Sequence, residues 1–324
     1  MRRFLVVLVA LATLAAPASA ERRALPCPHV LLGAFVSTGL VNQWRPDALL
    51  AFEAKIGRPV AIDHHYRGWD EPSWPSSPRS AEQWDAAHGR IPMDSWHGPQ
   101  RLDSILDGSR DTLIRAVALR VKAFRRPLFL RPMWEMNGSW EPWSGARNNS
   151  SGMTDGPAKF VGAWRHVHDV FAAVGATNAI WVWSPNFEDV PREAWNHWSS
   201  YYPGDAYVDW IAADGYNWGT TMSWSSWTSF ASLFTPLYRD YGGRKPFMVA
   251  ETSSVEEGGS KPLWIEEMAL ALKRDFPNVR ALLWFEAVKS EGGRTLDWRV
   301  ESSPASLLAF RTLAHDPYFS RTYP

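Results

Sequence analysis

Short apolar runs recur along the chain, and each is followed by a polar or aromatic segment and then by an amphipathic stretch. Runs of about four to eight apolar residues between turn-forming residues are typical of buried strands. Their continuous apolar character favours a parallel sheet that is covered on both faces. The predicted strands span residues 30–36, 59–62, 91–96, 127–130, 179–183, 208–213, 246–250 and 279–285.

Amphipathic helices are predicted between these strands. Pro46 lies near the start of the first helix, and Gly57 and Gly175 follow two helices at the position where glycine commonly ends them. A repeated order of strand, crossover and parallel strand predicts an α/β fold, a single (β/α)8 TIM barrel. The predicted helices span residues 46–56, 111–124, 157–174, 224–240, 262–274 and 301–314.

The chain shows no internal division. Residues 68–89 are rich in Pro, Ser and Trp and are predicted to form a long loop. Barrels of this kind commonly exceed ~250 residues as one domain, so the 324 residues need no second core. We therefore expect one catalytic barrel domain over residues 21–324.

The first residues are typical of an export signal rather than of the fold. Arg2 and Arg3 precede an apolar stretch at 4–16, and Ala18 and Ala20 give a small-residue cleavage site. A signal peptide over residues 1–20 is predicted, which implies a secreted or periplasmic protein with no membrane contact after cleavage. An uncleaved anchor is the alternative, but the apolar run is shorter than the ~20 residues that span a bilayer.

Charge and cysteine content narrow the possible partners. Lys and Arg total 34, as do Asp and Glu, so no basic field favours nucleic acid. Cys27 is the single cysteine, which excludes an intramolecular disulfide and leaves stability to the core. We expect a monomer that binds an uncharged partner.

Tryptophan is abundant, with 20 residues, and many lie in predicted loops. Flat aromatic faces suit the apolar faces of pyranose rings, although loop tryptophans also fill local cores. This pattern favours a carbohydrate ligand. The loop residues are Trp69, Trp74, Trp96, Trp140, Trp143, Trp218, Trp224 and Trp227.

Glu135 is the first candidate catalytic residue. It follows the predicted strand at 127–130 in the stretch R-P-M-W-E-M-N-G-S-W. Its neighbours Met133, Trp134, Met136 and Trp140 would remove water from the carboxyl group, which raises a carboxyl pKa and produces a general acid. The alternative is a buried glutamate in a structural salt bridge.

Glu251 is the second candidate. It directly follows the apolar strand at 246–250 and precedes Thr252, Ser253 and Ser254, whose hydroxyls favour an ionised carboxylate. Strands of a (β/α)8 barrel present their carboxyl-terminal ends on one face, so Glu135 and Glu251 should meet there. Two carboxyl groups in different environments are suited to act as an acid and a nucleophile.

Other ionisable residues lead to weaker hypotheses. A metal site built from Asp63, His64, His65, Asp94 and His97 is not favoured because no ligand spacing fixes its geometry. Asp214 is either a neighbour of the nucleophile or a structural acid, and Glu286 is a rim carboxylate that a rival catalytic assignment would use. The chain has no G-x-S-x-G motif, phosphate loop or dinucleotide fingerprint. We expect no cofactor and no metal.

Four motifs together resemble glycoside hydrolase family 26, whose members include β-mannanases. They are I-P-M-D-S-W at 91–96, W-E-M-N-G-S-W at 134–140, A-E-T-S at 250–253 and L-D-W-R-V at 296–300. The resemblance implies a retaining mechanism with Glu135 as acid/base and Glu251 as nucleophile. Retention implies that the two carboxyl groups lie about 5 to 5.5 Å apart.

The resemblance implies an endo-β-1,4-mannanase acting on β-linked polysaccharide. One departure bears on the sugar, because the mannanases carry His directly before the acid and this chain carries Trp134. β-1,3-1,4-Glucanase and β-1,3-xylanase of the same family are the alternatives. A carbohydrate-binding barrel without catalysis is the alternative of another class.

Candidate substrate-binding residues, some of them matched to the family and others placed by their rim positions, lie at the strand ends. Tyr216 matches a tyrosine that hydrogen-bonds the nucleophile, and Trp96, Trp140 and Trp284 are candidate sugar platforms. Polar and aromatic residues beside them are candidates for contact with sugar hydroxyls. These are His65, His97, Trp134, Asn137 and Asn186.

Overall fold

The computed structural model describes residues 29–37, 44–71, 74–75 and 80–320. The predicted signal peptide at 1–20, the predicted mature start and Cys27 lie outside these residues, as does part of the predicted loop at 68–89. None of the described helices combines the length and apolarity that a bilayer crossing requires.

Eight parallel strands form a closed barrel, because each pairs with the next in sequence and β8 pairs with β1. This confirms the predicted (β/α)8 fold. The strands are β1 Val30–Val36, β2 Ile62–Arg67, β3 Ile91–Trp96, β4 Leu128–Pro132, β5 Ala179–Trp183, β6 Trp210–Asn217, β7 Phe247–Ser254 and β8 Val279–Glu286.

Helices lie in the connections between the strands. Gly57 and Gly175 have φ of 83° and 74°, the left-handed conformation that ends a helix and that glycine adopts without strain. The helices are α1 Pro46–Ile56, α2 Ala81–Ala87, α3 Asp103–Leu106, α4 Asp111–Phe124, α5 Gly145–Asn148, α6 Gly156–Val174, α7 Phe230–Tyr241, α8 Lys261–Arg274 and α9 Pro304–His315.

A hairpin follows β8 at the carboxyl-terminal face of the barrel. Its strands β9 Val288–Glu291 and β10 Arg294–Asp297 pair antiparallel, and the sequence patterns did not predict them. A last strand, β11 Phe319–Ser320, pairs with the start of β1. Single 3-10 turns span Ala194–Asn196, Trp198–Tyr201, Asp205–Tyr207 and Val300–Ser302.

Strand β2 differs from the prediction, which placed it at residues 59–62. It begins at Ile62 and continues through charged residues to Arg67, and α2 lies within the predicted loop. The outward side chains of His65 and Arg67 bond to Asp85 and Glu82 of α2. Since this layer between barrel and helix is charged, an apolar pattern does not reveal it.

The apolar core has three parts. One cluster fills the barrel interior and a larger one lies between strands and helices. The third, here called the rim cluster, lies at the carboxyl-terminal ends of the strands and includes aromatic side chains that reach the site. It comprises Val255, Phe285, Ala287, Leu296 and Trp298, with Phe35, Tyr66, Tyr216, Trp218 and Met222 packed against it.

Candidate active site

Glu135 lies in a tight turn just past the end of β4. Its φ is 52° and that of Met133 is 49°, a left-handed backbone that is uncommon for residues other than glycine. The Glu135 N–H donates to the Ser184 carbonyl at 2.8 Å, and the Gly138 N–H donates to the Glu135 carbonyl at 2.9 Å. Such strain persists only where surrounding contacts enforce it, and it is concentrated at functional sites.

Trp140 fixes the side chain of Glu135. Its indole Nε1 donates to Glu135 Oε2 at 2.6 Å, although the ring is 42 % exposed. A Cβ added at Gly138 would lie 2.5 Å from Trp140 Cζ2, so the ring packs directly on the glycine backbone. Gly138 is therefore required for this contact.

The surroundings of Glu135 favour its protonated form. Burial, followed by the negative charge of Glu251, raises the pKa of Glu135 to about 7, and the hydrogen bond from Trp140 opposes the rise. A carboxyl group that holds its proton near neutral pH can act as a general acid.

Glu251 has the opposite environment. It lies within β7 and is buried. Tyr66 donates to Oε1 at 2.5 Å, Tyr216 donates to Oε2, and Arg131 donates to Oε1. Burial alone would raise its pKa, but the Arg131 guanidinium and the two phenols outweigh burial and hold the pKa below the usual value. Glu251 is therefore ionised. The contact with Tyr216 is the one that the family resemblance implied.

Arg131 links Glu251 to the barrel interior and is fully buried on β4. Its Nη1 donates to both carboxylate oxygens of Asp214 at 2.8 Å, and its Nε donates to Ser95 Oγ at 2.7 Å. Asp214 also accepts from Ser184 at 3.1 Å. Asp214 therefore holds the guanidinium in place, which is a structural use of this rim acid.

Replacing Arg131 with methionine should destabilise the protein by about 3 to 5 kcal/mol, because Asp214 and Glu251 would remain buried without their counter-charge. Urea unfolding measures this loss. It should shrink as the pH falls, since protonation removes the uncompensated negative charge. Arg101→Met removes an exposed ion pair with Asp103 and serves as the control. Equal unfolding midpoints for the Arg131 variant and the wild type would contradict the role of Arg131.

Several predicted substrate-binding residues border the two acids. Trp134 precedes Glu135, and its ring lies 5.3 Å from that of Tyr66 and 5.1 Å from that of His97. His97 is half-buried. In the part of the chain that the structure describes, the side-chain nitrogens of Trp134 and His97 make no hydrogen bond and are not sealed from solvent. Both remain candidates for contact with a sugar.

The structure contradicts two predicted sugar platforms. Trp96 is fully buried, stacks on Trp69 at 4.4 Å and donates to the Trp69 carbonyl. Trp284 is also fully buried and donates to the Trp298 carbonyl at 3.0 Å. Neither ring presents a face to a ligand, so these two assignments were wrong. Both tryptophans fill the core.

Three predicted polar residues make internal hydrogen bonds. Asn137 is fully buried and donates to the Asn186 carbonyl at 2.9 Å, and its Oδ1 accepts from the Asn186 N–H at 2.8 Å. The Asn186 amide donates to the Glu188 carbonyl. These bonds join the segments after β4 and β5. His65 bonds to Asp85 behind the barrel wall. The assignment of Asn137 and His65 to sugar binding was wrong because both side chains are buried and bonded within the protein. Asn186 commits only its amide nitrogen, so its side-chain oxygen stays a candidate for contact with a sugar.

The five residues of the metal hypothesis do not form one site, although Asp63 and His65 lie together. His64 bonds to Ser95 inside the barrel, whereas Asp94 pairs with Arg67 outside it. Among the described residues, one group brings three potential ligand atoms within 4.8 Å, and it consists of Asp63, His65 and Asp85 in the layer beneath α2. This group lies apart from Glu135 and Glu251.

Sequence reasoning missed three residues of the site. Tyr66 and Arg131 contact Glu251 from β2 and β4, and Arg131 is a charged residue within an apolar strand, which is a detectable signal.

Glu141 follows Trp140 and is half-buried. Burial and the charge of Glu251 raise the pKa of Glu141 to about 7, which places a third acid near the pair. Glu286 instead accepts from the Val300 N–H at 2.8 Å and belongs to the rim packing.

A (β/α)8 barrel that carries two carboxyl groups at the ends of β4 and β7, one with a raised pKa and one with a lowered pKa, has the architecture of a glycosidase. The sequence model of Glycosyl hydrolase family 26 matches residues 55–239, which is more than half of the chain. The chain belongs to this family. The match confirms the resemblance drawn from the motifs, and it includes Glu135 and ends before Glu251.

Two curated relatives carry different activities in their names. Endoglucanase H of Acetivibrio thermocellus is 35 % identical over 285 residues, which cover 86 % of this chain and 30 % of that protein. Mannan endo-1,4-beta-mannosidase A and B of Caldalkalibacillus mannanilyticus is 40 % identical over 91 residues, which cover 28 % of this chain and 16 % of that protein. The chain thus spans less than a third of either relative.

Solved structures share the fold. A mannanase of Bacillus subtilis has a TM-score of 0.61 at 21 % identity and covers 91 % of this chain and 87 % of its own. A GH26 β-mannanase of Bacteroides ovatus has a TM-score of 0.64 at 16 % identity and covers 91 % of both chains. At these identities the likeness establishes the barrel and not the substrate.

Proposed function

We propose that the protein hydrolyses a β-linked polysaccharide with retention of anomeric configuration. The observation that supports this most strongly is the opposite state of the two acids. Glu135 holds its proton to a pKa of about 7, whereas Arg131 and two phenols keep Glu251 ionised. Because the two pKa values are far apart, one carboxyl group is a protonated acid at the same pH at which the other is an ionised nucleophile.

In the first step, Glu251 attacks the anomeric carbon and the bond from that carbon to the leaving oxygen breaks. Glu135 gives its proton to the leaving oxygen. In the second step, Glu135 takes a proton from water, the water oxygen bonds to the anomeric carbon, and Glu251 departs with its electron pair. Both carboxyl groups return to their starting states.

Two substrates are candidates. The match to an endoglucanase extends over 86 % of the chain and favours a β-glucan. The mannan predicted from the sequence is supported by the shorter match to a mannosidase. Trp134 is consistent with the first, because an indole can only donate a hydrogen bond where the mannanase histidine can also accept one.

The test is a reducing-sugar assay on galactomannan, glucomannan, barley mixed-linkage glucan, β-1,3-xylan and carboxymethylcellulose. Release from one class of polymer identifies the substrate. A fast fall in viscosity relative to sugar release indicates endo action. Proton NMR of the first product should show the β anomer, and an α anomer at the earliest times would disprove retention. Binding without turnover would favour a non-catalytic carbohydrate-binding barrel.

The pH dependence of kcat/KM should be bell-shaped. Activity should be lost as the pH rises through about 7, where Glu135 loses its proton, and as it falls below the lowered pKa of Glu251. Trp140→Phe removes a bond to the ionised form of Glu135, so the upper limb should move to higher pH. Glu141→Gln is the control, because Glu141 has a similar pKa. Loss of the upper limb in that control would transfer the assignment to Glu141.

We further propose that the chain is exported after cleavage of residues 1–20 and acts as a monomer without a metal or cofactor. Amino-terminal sequencing of the protein recovered outside the cytoplasm tests the first statement. Light scattering during size-exclusion chromatography tests the second, and metal analysis of the purified protein tests the third.

A further inference from the structure

Two tryptophans stand out among the large apolar side chains that the structure describes as exposed. Trp140 is 42 % exposed and bonds to Glu135. Trp224 is 67 % exposed and lies between β6 and α7, on the same face of the barrel. Neither catalytic step uses Trp224. Most of this large apolar ring stays in contact with solvent, so its surface is available to a ligand.

A row of rings leads from the nucleophile to Trp224. Tyr216 donates to Glu251, and its ring lies 6.5 Å from that of Trp218. The Trp218 ring lies 5.2 Å from that of Trp224 at 58°. Tyr216 and Trp218 both pack on the rim cluster, whereas Trp224 extends from it into solvent. The exposed ring is therefore continuous with the candidate active site.

Local contacts hold the segment that carries Trp224. Ser225 Oγ accepts from the Met222 N–H at 3.1 Å and donates to the Gly219 carbonyl at 2.9 Å. A Cβ added at Gly292, at the tip of the hairpin, would lie 3.3 Å from Met222 Sδ. The hairpin thus packs against this segment. A braced aromatic ring loses little conformational entropy when a ligand covers it.

We propose that Trp224 is the platform of a distal subsite that binds a pyranose ring of the polysaccharide, away from the bond that is cleaved. The proposal rests on the proposed function, since the occupant is another sugar of the same chain. A pyranose suits the site because its apolar face covers the ring while its hydroxyls stay in solvent. Polymers should therefore gain a contact that short substrates cannot reach.

Trp224→Ala should lower kcat/KM on the polymer that the wild type cleaves by about tenfold, which corresponds to ~1.4 kcal/mol. The same variant should leave kcat/KM unchanged on a 4-nitrophenyl β-glycoside of the same sugar. Trp224→Phe should recover part of the loss, because it retains an aromatic face. Leu270→Ala is the matched control, since Leu270 is 63 % exposed near the end of α8, which leads into the opposite face of the barrel.

Equal polymer kinetics for Trp224→Ala and the wild type would overturn the platform and leave the proposed function standing. An equal loss on both substrates would also overturn it, because a distal subsite cannot affect a short substrate. Affinity electrophoresis in galactomannan and in mixed-linkage glucan distinguishes failure of the distal subsite from failure of the proposed hydrolytic function. If the wild type is inactive, weaker retardation of Trp224→Ala supports the platform without catalysis, and no retardation of the wild type overturns both.

Discussion

Glu251→Ala is expected to abolish hydrolysis of every substrate, whatever its leaving group. Without the carboxylate no glycosyl-enzyme can form, and Tyr66, Tyr216 and Arg131 lose the group on which they converge. Removal of a nucleophile typically costs at least about four orders of magnitude in turnover. The measurement is kcat/KM on polymer and on a 4-nitrophenyl glycoside.

Two controls make this loss interpretable. Glu257→Ala removes an exposed carboxylate in the segment after β7 and should retain activity. Azide added to Glu251→Ala can attack the anomeric carbon from the side that Glu251 occupied, which should give an α-glycosyl azide. Full activity of Glu251→Ala, or a β-glycosyl azide from it, would rule out Glu251 as the nucleophile.

Much of the barrel was predictable because most of its strands are apolar on both faces. β1, β3 and β5 match their predicted bounds, and α1 ends at Gly57 as the pattern indicated. Strands β6 and β7 continue about four residues past the predicted ends, since these last residues are mostly polar and include Asp214, Tyr216 and Glu251 of the site. The hydroxyls of Thr252, Ser253 and Ser254, expected to favour an ionised Glu251, donate instead to backbone carbonyls. An apolar pattern finds the apolar part of a strand and misses the buried polar part that carries chemistry.

The candidate site was predicted only where neighbours in sequence determine it. The apolar stretch around Glu135 predicted its burial, and burial is the first cause of its raised pKa. Trp140, which was expected to remove water, instead donates a hydrogen bond that opposes the rise. The partners of Glu251 come from β2, β4 and β6, and no local pattern joins Tyr66 to a residue 185 positions away. Such pairings depend on which strand faces which, and that is known only once the barrel is closed.

Some tryptophans and an asparagine that were predicted to contact the sugar are buried in the interior. Trp96 and Trp284 lie in the last residues of β3 and β8, where sugar platforms are predicted, but both are fully buried and donate to backbone carbonyls. The side chain of Asn137 forms hydrogen bonds with the backbone of the segment after β5. A strand alternates its faces, so position at a rim does not by itself place a side chain in the cleft.

Glu135→Ala should give a loss that depends on the leaving group, unlike Glu251→Ala. Hydrolysis of polysaccharide should fall by about 10² to 10⁴, because a sugar alkoxide cannot leave without a proton. A substrate with a good leaving group, such as a 2,4-dinitrophenyl glycoside, needs no proton in the first step. Its first-step rate should stay near the wild-type value, and the glycosyl-enzyme should accumulate because no base activates water.

A burst of dinitrophenolate followed by slow turnover is therefore the expected signature, with mass spectrometry showing a sugar bound to Glu251. Trp140→Phe is the control, since it removes the hydrogen bond to Glu135 and keeps the carboxyl group. Azide should speed the slow phase of Glu135→Ala and yield a β-glycosyl azide, because it attacks from the side that water uses. If polymer and activated substrate lost activity equally and no burst occurred, Glu135 would have a structural role and not the role of acid/base.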